Sequence, residues 1–106
     1  MRIYCEVFMM AKYDKDELLL RTSEFFKALS DYSRMKIVYA LIKNELCVND
    51  IVKEVDMSQT AVSYQLKLLR QMHLVKYRRD GQNIYYSIDD DHVYQVIQMS
   101  IAHIEE

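Results

Sequence analysis

The apolar positions of the chain change period partway along, and that change predicts its elements. In "DKDELLLRTSEFFKALSD", Leu18, Leu19, Phe25, Phe26 and Leu29 recur at helical spacings behind an acidic start, which predicts a first helix. "DYSRMKIVYALIKNE" repeats the pattern through Met35, Ile37, Val38, Leu41 and Ile42, with Asp31 or Ser33 as its cap. Both read as core helices. "VNDIVKEV" predicts a short third helix with Asn49 at its N-cap. After a tight break at "DMS", "SQTAVSYQLKLLRQM" predicts a fourth, capped by Ser58, with Ala61, Val62, Leu66 and Leu69 inward. The period then falls to two. "LVKYRR" and "NIYYSI" are β-branched and aromatic, and they flank "DGQ", where Gly81, the only glycine, supplies the positive φ of a hairpin turn. The closing "DHVYQVIQMSIAHIEE" returns to helical spacing behind Asp89, Asp90 and Asp91, acids that suit the positive end of a helix dipole.

A short helix, a tight turn, a longer polar-faced helix and a basic hairpin, in that order, make a winged helix-turn-helix. The expected fold is therefore mainly α with a β-hairpin wing. On the fourth helix Gln59, Thr60, Ser63, Tyr64, Gln65 and Lys67 are assigned to the outward face, where they combine groups for base edges with groups for phosphates. Arg70 lies near the end of that helix. Lys76, Arg78 and Arg79 in the wing, with Gln82 and Asn83 at its tip, would grip the backbone or enter a minor groove. Tyr77, Tyr85, Tyr86 and Tyr94 read as packing groups of the hairpin and interface.

Charge sharpens this picture. The formal net charge of -2 conceals a partition: residues 1–57 carry 9 basic and 10 acidic side chains, residues 58–83 carry 5 and 1, and residues 84–106 carry none and 5. A basic segment thus adjoins an acidic one, fitting an anionic polymer at the first and a cation at the second. At 106 residues with 51% hydrophobic content, the chain reads as one domain over residues 1–106, small enough that a partner subunit would help to bury apolar surface. With no proline and no low-complexity run it is expected to be compact throughout. No stretch approaches a membrane span, and "VFMM" is too short for a signal peptide, so the expectation is a cytoplasmic protein with no membrane partner. In that compartment Cys5 and Cys47 are expected to be reduced thiols.

The motifs "LSDYSRMKIVYAL", "ELCVNDI", "MSQTAVSYQLKLLRQMHLV" and "RRDGQNIYYSI" together resemble the ArsR/SmtB family of metal-responsive repressors, over about residues 20–106. The likeness is strongest to the zinc- and cobalt-responsive members. It implies a dimeric winged helix-turn-helix whose first and last helices form the subunit interface. It implies too that metal-free protein binds operator DNA, an imperfect inverted repeat, and that metal releases it.

Two family sensor sites bear on this chain. Thiolate sensors carry Cys-Val-Cys where this chain has "CVN": Cys47 is kept, but Asn49 stands in the place of the second thiol and cannot serve a soft metal. Cys5 could partner Cys47, which leaves open a repressor of the same fold that answers to a thiol oxidant or soft metal. The second site is written Asp-x-His, ten residues, His-x-x-Glu or His, and here it reads Asp90, His92, His103 and Glu106 with every spacing kept. Eleven residues of helix return His103 to within about 20° of the face of His92 yet separate the two by roughly 16 Å, so one ion cannot join them within a chain. Antiparallel packing of two copies would bring Asp90 and His92 of one opposite His103 and Glu106 of the other, giving two sites per dimer. Four nitrogen and oxygen donors suit tetrahedral Zn(II), and Co(II) fits the same cage. An acidic N-cap and a histidine at a helix C-terminus would explain some of these residues without a metal. They do not explain Glu105 and Glu106, which oppose the dipole.

His73 falls between the fourth helix and the wing, where many relatives carry glycine, so a helix C-terminus in or near the left-handed region is expected there. The resemblance implies a second role: the histidine matching His103 uses its non-metal nitrogen to hydrogen-bond the backbone carbonyl at this position, coupling metal to the recognition helix. An enzyme, such as a zinc hydrolase built on His103 and Glu106, is disfavoured, because catalytic zinc needs an open coordination position.

Overall fold

The computed structural model describes residues 12–106, so Cys5 lies outside the described residues. The first helix, α1 (Lys15–Leu29), starts where the Asp14 carboxylate accepts the Glu17 N–H at 2.8 Å. Helix α2 (Tyr32–Lys43) starts the same way at Asp31, which receives the Arg34 N–H at 3.0 Å, so Asp31 and not Ser33 is its cap. A two-residue strand, β1 (Leu46–Cys47), comes next and was not foreseen. It pairs antiparallel with the third strand, Leu46 opposite Tyr86 and Cys47 opposite Tyr85. Its presence also moves the start of α3 (Val48–Val55): Cys47 occupies the N-cap with no side-chain bond, and Asn49, the expected cap, lies inside the helix. The chain leaves an extended strand and turns directly into the helix, which leaves no room for an Asn cap two residues later.

Asp56, in the left-handed region at φ 55°, ends α3. Helix α4 (Gln59–Gln71) then starts at Ser58, whose hydroxyl accepts the Ala61 N–H at 3.1 Å. Its other end is a Schellman cap. The Leu74 N–H reaches the Leu69 carbonyl at 2.9 Å and the His73 N–H reaches Arg70 at 3.1 Å. His73 holds φ 60° between them, the left-handed conformation expected of it. Leu69 and Leu74 are both buried, which supplies the apolar contact that accompanies such a cap.

Strands β2 (Val75–Asp80) and β3 (Asn83–Ile88) form the wing and complete a sheet in the order β1-β3-β2. Asp80 faces Asn83, leaving Gly81 and Gln82 as a two-residue turn. Only Gly81 has positive φ there, so the turn is type II′. The Arg70 guanidinium lies 4.8 Å from the centre of the Tyr77 ring, and Tyr77 meets Tyr86 at 5.9 Å, tying the wing to the end of α4. The last helix, α5 (Asp91–Glu105), is capped by Asp90, which accepts the Val93 N–H at 3.0 Å.

The core gathers Ile37, Val38 and Leu41 of α2, Ile51 and Val55 of α3, Val62, Leu66 and Leu69 of α4, and Val93 and Ile97 of α5. Ala61 is only half-buried. Helix α1 departs from the expectation of a core helix. Only Ala28 and Leu29 are buried on it, while Leu19, Leu20 and Phe26 are 48%, 60% and 51% exposed. On α5, Met99 and Ile104 are 73% and 79% exposed. Helical spacing therefore reported an apolar face correctly, but that face lacks a cover among the described residues.

Candidate metal and DNA sites

The four sensor residues fall into two pairs at opposite ends of α5. At its start, Asp90 Oδ1 lies 3.8 Å from His92 Nδ1; at its end, His103 Nδ1 lies 3.9 Å from Glu106 Oε1. Two donors on one tetrahedral zinc stand about 3.4 Å apart, given bonds of about 2.1 Å, so each pair already spans close to one edge of such a site. Both imidazoles are free to turn: the His92 and His103 side chains are 91% and 81% exposed. Asp90 Oδ1 also accepts the Val93 N–H as the cap of α5. Among the described residues, no three potential ligands converge within the chain. His92 and His103 do line one groove along α5, with Val96, Met99 and Ile104 and with Phe26 of α1. The residues fit zinc by donor type and spacing, as two halves facing the same apolar groove.

Cys47 is a free, half-buried thiol that donates to Asp50 Oδ2 at 3.3 Å. That contact offers one sulfur and one oxygen, a poor match to a soft metal.

The residues assigned to DNA are mostly exposed. Gln59, Thr60, Ser63, Tyr64 and Lys67 are exposed along α4, and Arg78, Arg79 and Gln82 are exposed on the wing. Gln65 departs from the outward face expected of it. It is half-buried, and its Oε1 is buried without a hydrogen-bond partner, because six residues beyond Gln59 the helix has turned toward the side of Val62 and Leu69. Arg78 is exposed but engaged: its Nε and Nη2 reach the two oxygens of Glu45 at 2.9 and 2.7 Å, and its guanidinium lies 4.9 Å from the Tyr85 ring centre. The hydrogen bonds from Arg78 hold the Glu45 carboxyl below the usual carboxylate range, and Glu45 raises Arg78 in turn. Sequence reading missed Glu45. It lies 33 residues from Arg78, and only the pairing of β1 with β3 brings it to the wing.

Residues 31–77 match the model of the arsR family of bacterial regulatory proteins. The chain is 46% identical over 84 residues to a transcriptional repressor SmtB homolog of Synechocystis sp., a match spanning 79% of this chain and 64% of that protein. It is 41% identical over 85 residues to a cadmium resistance transcriptional regulatory protein CadC homolog of Staphylococcus aureus, spanning 79% of this chain and 70% of the relative. This chain belongs to the ArsR family. The solution structure of a homodimeric winged helix-turn-helix DNA-binding domain from Mycobacterium bovis agrees in architecture, with a TM-score of 0.80, 28% identity and 92% of each chain covered. The winged helix-turn-helix read from the order of elements is thus the fold of this ArsR-family chain, and the relatives it matches are regulators of transcription.

Proposed function

We propose that this ArsR-family chain is a metal-responsive transcriptional repressor, not an enzyme, that binds operator DNA as a homodimer and is released by Zn(II). The observation that carries this reading is the pairing on α5, Asp90 with His92 and His103 with Glu106, each at a zinc-edge separation and both beside one exposed apolar groove. A second copy packed antiparallel on that groove would cover Met99 and Ile104, and its paired ligands would complete both sites, two zinc ions per dimer. Co(II) would suit the same donors. The matched SmtB and CadC homologs are named as a repressor and a cadmium-resistance regulator, which supports a metal as the signal.

On this reading the protein residues do three things. Gln59, Thr60, Ser63, Tyr64 and Lys67 meet bases and phosphates in the major groove, and the wing meets the flanking backbone. Asp90, His92, His103 and Glu106 hold the ion, whose chemistry here is to fix the two α5 helices against each other. Once its ring is fixed, the free nitrogen of His103 would donate to the His73 carbonyl at the end of α4. Zinc weakens DNA binding only as far as it favours a conformation that docks poorly. A thiol-based signal through Cys47 and Cys5 ranks behind, since Asn49 stands where thiolate sensors carry a second thiol and Cys47 donates to the Asp50 carboxylate.

Titration of zinc against the protein bound to operator DNA, alongside a His103→Ala protein, tests the proposal. Release by zinc from the wild type and none from the variant is expected. Equal release from both would remove the α5 site.

A further inference from the structure

The assignment of phosphate contacts on the wing changes once the side chains are followed. Arg78, one of the wing residues that read as phosphate contacts, is doubly hydrogen-bonded to Glu45 and lies 3.8 Å from Asp80 as well. Arg70 has the opposite surroundings. It is exposed in the last turn of α4, and among the described residues no carboxylate lies within ion-pair distance of it. Its guanidinium rests 4.8 Å from the centre of the Tyr77 ring, and Tyr77 is braced by Tyr86 at 5.9 Å. Helical spacing places Arg70 in line with Ser63 and Lys67, at i, i+4 and i+7, so it continues the exposed face of α4 to the root of the wing.

We infer that Arg70, held over the Tyr77 ring, is a phosphate ligand that bridges the major-groove helix and the wing, and that Tyr77 is the residue that positions it. The inference rests on the DNA-binding reading and adds a site to it. A guanidinium attracted to an aromatic face needs no carboxylate to hold it, so its N–H groups stay available for bidentate contact with a phosphate. The ring contact also limits the side chain's freedom before DNA arrives, so less entropy is lost on binding. The carbonyl of Arg70 accepts the His73 N–H, so the same residue anchors the cap between α4 and the wing.

The test uses zinc-free protein and a labelled mixed-sequence DNA duplex, with affinity measured across a series of salt concentrations. Arg70→Gln should flatten the slope of log affinity against log salt by about 0.9, the value of one phosphate contact. Tyr77→Phe should keep the wild-type slope and affinity. Tyr77→Leu should fall between the two, because the charge remains but is no longer held. In the wild-type protein, DNA should protect Arg70 from phenylglyoxal, read by peptide mass spectrometry; this arm does not depend on any variant folding. An Arg70→Gln protein that loses affinity with an unchanged slope has lost only structure, and that result, or equal modification of Arg70 with and without DNA, overturns the inference. Wild-type protein that shows no salt-dependent DNA binding would instead bring down the DNA-binding reading itself.

Discussion

The backbone N–H of Asp89 donates to the carbonyl oxygen of Leu74 at 3.1 Å. Leu74 closes the Schellman cap of α4, and Asp89 immediately precedes the candidate ligand Asp90. The start of α5, the helix proposed to hold metal, is therefore bonded within the chain to the end of α4, the helix proposed to read DNA.

Asp89→Pro removes that bond by removing the N–H, and Ile88 before it is already in a strand, the backbone that a following proline favours. In Asp89→Pro protein, zinc affinity should stay near wild type while zinc-driven DNA release shrinks below the usual coupling of about 1 to 3 kcal/mol. Operator affinity measured with and without zinc decides it. Undiminished release would show that this bond carries none of the signal.

Stoichiometry separates an intersubunit site from any other. Wild-type dimer should take up two zinc ions. A heterodimer of Asp90→Ala and His103→Ala subunits should take up one, since both lesions fall in the same composite site. Zinc titration by competition with a chelating dye gives these numbers directly; retention of two tight sites in the heterodimer would be incompatible with the pairing.

The Glu45–Arg78 pair should restrain the wing. Glu45→Gln frees Arg78 for a phosphate and should steepen the salt dependence of DNA binding by about one charge, whereas Arg78→Ala should change it less than Arg79→Ala. Glu45 has a depressed carboxyl pKa, so what the pair contributes is present above the ordinary carboxylate range and lost as pH falls through the depressed value. Lowering the pH should therefore bring the wild-type slope toward that of the Glu45→Gln protein.

Backbone conformation sets two further expectations. A Cβ at Gly81 would meet nothing within 4 Å, so Gly81→Ala is opposed only by its φ of +65° and should cost about 1 kcal/mol. A melting temperature lower by about 4 to 8 °C is the corresponding shift. His73→Gly, at φ 60°, should be tolerated or slightly stabilising and should leave zinc-driven release intact, because the proposed coupling uses only the His73 carbonyl. Loss of release in His73→Gly protein with normal zinc binding would give the imidazole a role of its own.

Much of this protein is determined by its sequence alone, because the deciding physics is local. Apolar residues at helical spacing, a cap at Ser58, acids at the starts of the first and last helices, and one glycine between two β-branched runs mark the starts or faces of four of the five helices and the wing without reference to distant residues. The spacing of Asp90, His92, His103 and Glu106 is likewise a property of one helix, and so is the distance that forbids an intrachain site. Tertiary structure decided what depends on meetings between distant segments. Strand β1 exists only because Leu46 and Cys47 find Tyr86 and Tyr85, and that pairing displaced the expected cap at Asn49. It also delivered Glu45 to Arg78, while Arg70, over the Tyr77 ring at the root of the wing, meets no carboxylate among the described residues. Whether the apolar face of α1 is covered was beyond periodicity as well: spacing reports which side of a helix is apolar, but only packing determines whether the chain itself has anything to place against it.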